Sequence, residues 1–146
     1  MLRVIIALPV GLLVMGLLVF LLELVGHSVF PASREMQDAI GLWVANPDDP
    51  AARQAMSDAL PTMPLGAHLS VLAAWCVGGA AGAWVAARVA GRMQLAFGVA
   101  LGLVLMLSCA ANLAMIPHPM WMWPAGLLLP FACAVFAASS TVRRPA

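Results

Sequence analysis

The sequence predicts an all-α membrane protein: a bundle of four transmembrane helices with two short amphipathic helices in one long outer loop. Three observations predict it. The 146-residue chain is 64% hydrophobic and only 9% charged, with a mean hydropathy of +1.00. A soluble domain is about half apolar and about a quarter charged, and a chain this short could not hide the excess from water. The apolar residues gather into four stretches: Val4 to about Val25, Leu65 to about Val89, Leu95 to Ile116, and Trp121 to about Ser140. Each approaches the ~20 residues that cross ~30 Å of hydrocarbon, and backbone groups in lipid must bond within their own helix. Finally, the arginines alternate sides. Arg3, Arg88, Arg92, Arg143 and Arg144 flank one set of helix ends with no acidic residue. The long 26–64 loop holds Arg34 and Arg53 against Glu35, Asp38, Asp48, Asp49 and Asp58, a net −3. Basic residues stay cytoplasmic. Both termini are therefore expected in the cytoplasm of a bacterial inner-membrane protein, with the long loop periplasmic or extracellular.

The first helix follows a short basic start, Met1-Leu2-Arg3. A cleaved signal peptide has an apolar core of about 7–15 residues and an A-x-A-like site. This run is longer and lacks the site, so it is expected to stay as a span. The whole chain is then one membrane domain.

Two helices are expected within the loop. Ser33 is a suitable N-cap, and Met36, Ala39, Ile40, Trp43 and Val44 follow helical spacing on one face until Asn46-Pro47. Asp49-Pro50 starts a second, with Asp at the cap and Pro at the first position, running to about Leu60. They would lie on the membrane surface or cover the mouth of the bundle.

The link from Ala90 to Gln94 is so short that the second and third spans must be antiparallel neighbours. Ala74, Gly78, Gly82, Ala86 and Ala90 recur every four residues on the second span, and Gly98 and Gly102 on the third. Small residues at this spacing let backbones approach and gain dispersion contacts, so these two spans are expected in close contact, with Gly78, Gly82, Gly98 and Gly102 serving either packing within the chain or homodimerisation. Pro9 and Pro130 fall inside spans, and Pro124 near the start of one, where it costs little.

Chemistry has few places to reside. There is no Gly-rich phosphate loop, GxSxG, HExxH or paired-carboxylate motif, and no enzyme is expected. The net charge of +1 gives no sign of nucleic-acid binding. Cys76, Cys109 and Cys133 lack CxxC spacing and read as small packing residues. The remaining polar groups share one depth. Glu23, the sole acidic residue within the spans, has His27 one turn later on the same face. His68 lies at the start of the second span, and His118 sits on a stiff Pro117-His118-Pro119 mount. Asn112 and Ser108 follow as second-line polar groups on the third span.

Three imidazoles and a carboxylate suit a divalent transition metal such as zinc, copper or iron, with Glu23, His27, His68 and His118 as ligands. The same groups suit proton handling, and His68 with His118 could ligate haem. A purely structural role at the interface competes with all three. Trp43, Trp121 and Trp123 fit an aromatic belt, and Trp75 and Trp84 sit deeper as packing or lipid-facing residues.

The stretches Glu23 to His27 and Asn112 to Trp121, with the four-span layout, resemble small bacterial four-helix integral membrane proteins, a group without an assigned activity. Small multidrug-resistance transporters are similar in size, but their carboxylate lies mid-helix, unlike Glu23. The leading expectation for function is an accessory or structural partner of an inner-membrane complex, surrounded by lipid and open to a membrane-protein partner or homo-oligomerisation. The alternative is a transporter or metal- or proton-binding protein using the Glu/His cluster. A cavity lined by Glu23, Asn112 and histidines would favour the alternative; a solid interior of Ala, Gly and Leu would favour the accessory role.

Overall fold

A computed structural model describes residues 2–142, so Arg143 and Arg144 lie outside the described residues. The chain is all-α, with α1 Leu2–Val29, α2 Arg34–Ala45, α3 Pro50–Ala59, α4 Leu65–Ala90, α5 Gln94–Met115 and α6 Met122–Ser139; a 3-10 turn at Leu60–Thr62 follows α3. Of these, α1, α4, α5 and α6 are long and apolar enough to cross a membrane. They run up and down in order. One end of the bundle holds the start of α1, the 91–93 link and the end of α6; we call it the link end. At the opposite, capped end sit α2, α3 and the α5–α6 connection.

Helix α1 continues one turn beyond Val25, the end expected from hydrophobicity. Its final polar side chains bond their own helix: His27 Nδ1–H donates to the Glu23 carbonyl at 2.7 Å and the Ser28 hydroxyl to the Leu24 carbonyl at 2.9 Å. The Phe30 amide closes on Gly26 at 2.8 Å, and Pro31 then bars continuation. Helices α2 and α3 begin on side-chain caps, with Ser33 Oγ accepting from the Met36 amide at 3.1 Å and an Asp49 carboxylate oxygen from the Ala51 amide at 2.8 Å. Such caps contribute about 1 kcal/mol each.

Helix α4 is the hub, packing against α1, α5 and α6, whereas α1 meets α4, touches α5 slightly and does not reach α6. The small-residue stripe of α4 explains the first contact and corrects an expectation. Gly78 and Gly82 face α1, not α5. A methyl group added at Gly82 would stand 2.6 Å from the Gly11 carbonyl oxygen, and one added at Gly11 would stand 2.9 Å from the Gly82 carbonyl oxygen. The two backbones are in direct contact. On α5, Gly98 and Gly102 face α6, where added methyls would stand 2.5 Å from Ala138 Cβ and 2.8 Å from the Phe131 ring. α4 and α5 are adjacent, as their short link requires. Their packing puts Leu105 over Gly79, one position off the stripe.

The link turns tightly. Gly91 ends α4 at φ +67°, a left-handed conformation that suits glycine. Met93 adopts φ 55° as α5 begins, which strains a residue carrying a Cβ. Towards this end the interior is filled by Ala83, Ala86, Ala87 and Leu101, all fully buried.

The other end differs because the helices differ in length. α4 is four residues longer than α5, and the two start level at the link, so α4 projects about 6 Å further. Helices α2 and α3 pack on each other through Met36, Ala39, Met56 and Ala59, with Ile116 of the α5–α6 connection against them. No Cα of α2 or α3 lies within 8 Å of a Cα in the four long helices. The short helices stand off the bundle, and space remains beneath them.

Candidate functional site

That space is a cavity of about 340 Å³, walled by α1, α4, the α5–α6 connection and the underside of α2 and α3. Glu23, His27, His68, Asn112 and His118 all line it, so the structure brings together the polar residues that hydrophobic depth grouped. Ser108 is the exception. It is exposed, its hydroxyl donates to the Val104 carbonyl at 2.9 Å, and it does not reach the cavity. Ser108 lies one turn, about 6 Å, further along the helix from the cavity than Asn112, and its bond to its own helix spares it a distant partner.

The opposite wall is soft. Met36, Met56 and Met63 from the short helices and their exit, and Met122 from α6, contribute thioether side chains. Methionine is unbranched and adapts to irregular shapes. Phe30 and Trp43 add aromatic faces. A volume of this order, mostly apolar walls and a few convergent polar groups describe a small-molecule pocket.

Glu23, Ser70, His68 and His118 each have a defined neighbour. Glu23 Oε1 accepts from Trp75 Nε1–H at 2.9 Å, tying α1 to α4. Trp75 is 4% exposed, and a buried indole N–H requires an acceptor. Sequence reasoning treated Trp75 as a packing or lipid-facing residue and missed this role. The signal was the chain's one apolar-span carboxyl, which needs a donor from some neighbouring helix. Ser70, also unexpected here, packs against Gly26, and its hydroxyl donates to the Ala67 carbonyl at 2.8 Å. His118 Nδ1–H donates to the Ile116 carbonyl at 2.7 Å, held there by the flanking prolines. The His68 ring meets Trp121 edge-on, with centroids 6.3 Å apart.

These bonds decide how the imidazoles face the cavity. With Nδ1–H committed to a carbonyl, a neutral His27 or His118 keeps Nε2 as its free acceptor. Burial pushes His118 below the ordinary imidazole range; its bond to Ile116 opposes the shift and nearby His68 adds to it. His118 therefore favours the neutral form.

The expected four-ligand metal centre is not formed. Among the described residues no group of three or more His, Cys, Asp or Glu side chains is arranged to hold a metal ion. The residues share a cavity without converging on one point. Two imidazoles are anchored to different backbone segments, and the carboxylate is turned to Trp75.

Comparison with models of known protein families, with curated proteins and with solved structures finds no match. The cavity and its lining therefore carry the functional argument.

Proposed function

We propose that this chain is a multi-pass membrane protein whose capped end binds a small lipophilic molecule bearing a polar group. The single observation that carries this reading is the roughly 340 Å³ cavity, apolar over most of its wall and polar around Glu23, His27, Asn112 and His118. Its position beneath a stand-off cap suits a ligand that partitions into the membrane and presents a headgroup at its edge. Fully buried Ala83, Ala86, Ala87 and Leu101 fill the bundle towards the link end, which favours a binder over an open conduit.

The proposed orientation puts the link end in the cytoplasm and the cap outside, in a bacterial inner membrane, on the arginine asymmetry. The stacking of Arg88 over Trp84, at 4.9 Å, suits a cation and an aromatic ring meeting at a membrane boundary. A reporter active only in the cytoplasm should work when fused after Ala146 and fail when fused near Asp49. The reverse pattern overturns the orientation.

The accessory-subunit role has one supporting feature, the exposed apolar face of α1 that includes Leu13, Leu17 and Phe20. Lipid covers such a face equally well, so the cavity decides between the two readings. The binding test is thermal unfolding of the purified protein in lipid nanodiscs with a panel of single-chain amphiphiles. A ligand at a hundredfold excess over its Kd stabilises the fold by about 2.7 kcal/mol, so the melting temperature should rise measurably for at least one headgroup class. No rise for any amphiphile overturns the proposal.

A further inference from the structure

The cavity's polar groups near Glu23 are mostly acceptors. Among the described residues its lining contains one carboxyl group, Glu23, and no Lys or Arg. Glu23 Oε1 accepts from Trp75, leaving Oε2 and the remaining lone pairs of the carboxylate to accept further bonds. With each Nδ1–H spent on a carbonyl, the neutral form of His27 or His118 presents Nε2 as an acceptor. The Ser70 hydroxyl has likewise given its proton to Ala67 and offers oxygen lone pairs. The Asn112 amide, the His68 imidazole and the Trp43 indole, in the same lining, bring N–H donors of their own. A ligand group that settles beside Glu23 and these acceptors must therefore supply donors. The lining's formal charge is negative, so it must also tolerate or carry positive charge.

Resting on the binding role proposed above, we infer that the cavity selects a primary alkylammonium: an apolar tail among the methionines, with an –NH₃⁺ headgroup donating to Glu23 and the neighbouring acceptors. Three N–H donors match this set of acceptors. Phe30 and Trp43 line the same space and provide ring faces that attract a cation. An alcohol of the same tail supplies one donor and no charge. A carboxylate supplies none and meets Glu23 as a like charge.

The test is equilibrium binding to the full chain in zwitterionic nanodiscs with three ligands of equal tail length: octylammonium, octanol and octanoate. Charge-assisted hydrogen bonds contribute about 1.5–3 kcal/mol, so octylammonium should bind at least about tenfold tighter than octanol, and octanoate weakest of all. Glu23→Gln keeps an oxygen that can accept from Trp75 and removes the charge. Within this variant the preference for octylammonium over octanol should be mostly lost. Equal binding of all three ligands, an order led by octanol or octanoate, or an ammonium preference that survives in a folded Glu23→Gln protein overturns the inference. Because octanol carries the same tail and no charge, its binding without ammonium preference refutes the headgroup assignment and leaves the cavity's binding role standing. Binding of none of the three refutes both.

Discussion

The two ends of this bundle are built from the same four helices and solve packing in opposite ways. Towards the link end, Gly11 and Gly82 bring α1 and α4 into backbone contact, and α5 lays Gly98 and Gly102 against α6. At the capped end larger side chains such as Phe30, Met36, Trp43 and Met63 surround the cavity, α4 outruns α5, and the short helices stand clear. Close approach needs small side chains on both partners; where they stop, space opens. The comparison teaches that stability and binding are separable here. Substitutions at the solid end should act on folding, and those at the hollow end should act on ligands.

The largest expected effect is at the solid end. Gly82→Leu must displace the Gly11 backbone, because even a methyl carbon would stand 2.6 Å from its carbonyl oxygen. Overpacking costs typically about 1–3 kcal/mol and occasionally more. Folded yield and melting temperature should both fall sharply. A variant that purifies and melts like the parent breaks the claim that this end is closed.

Next comes the strut between the two ends. Trp75→Phe removes the donor to Glu23 and leaves a partly buried carboxyl without its partner, at a cost of about 1–3 kcal/mol. Combined with Glu23→Leu, the loss should be less than additive in unfolding measurements. Strict additivity would mean that the bond contributes nothing.

A smaller effect concerns pH. His118 is held below its ordinary value by burial. Its contribution to stability is thus fully present above the unfolded imidazole pKa of about 6.5 and declines as pH falls through that value towards the folded one. Melting temperatures compared at about pH 8 and about pH 5.5 should drop for the parent, and His118→Asn should flatten part of that drop. An unchanged slope removes His118 as a cause.

The smallest effect sharpens the link. Met93 is exposed and left-handed, so Met93→Gly relieves strain while losing little packing. It should raise stability by up to about 1 kcal/mol in unfolding assays. A loss of stability would show that the Met93 side chain contributes more than its conformation costs.

How much of this was legible in the sequence follows from what periodicity reports. The four long apolar helices could be read because lipid demands long uninterrupted runs. The gathering of Glu23, His27, His68, Asn112 and His118 could be read because all lie near the same ends of their helices. The partner of the α4 stripe could not. A row at Gly78 and Gly82 says which face is small, and only the packed structure says that α1 fills it. Nor could the pairing of Glu23 with Trp75, 52 residues apart, since either residue had several possible partners at that depth. Ser108 misled because helical spacing places a side chain near a face without saying whether it bonds across or back to its own turn. The metal expectation misled for a related reason: sharing a depth does not bring ligands to a point.

The central claim is that the capped end is hollow and that its hollow is the binding site. Ala32 lines the cavity beside α2, so Ala32→Trp should fill it from the wall while leaving the solid end untouched. The decisive measurement is binding stoichiometry of octylammonium by the parent and by folded Ala32→Trp in zwitterionic nanodiscs. The account predicts one saturable site per chain in the parent and none in the variant; equal saturable binding by both would contradict it.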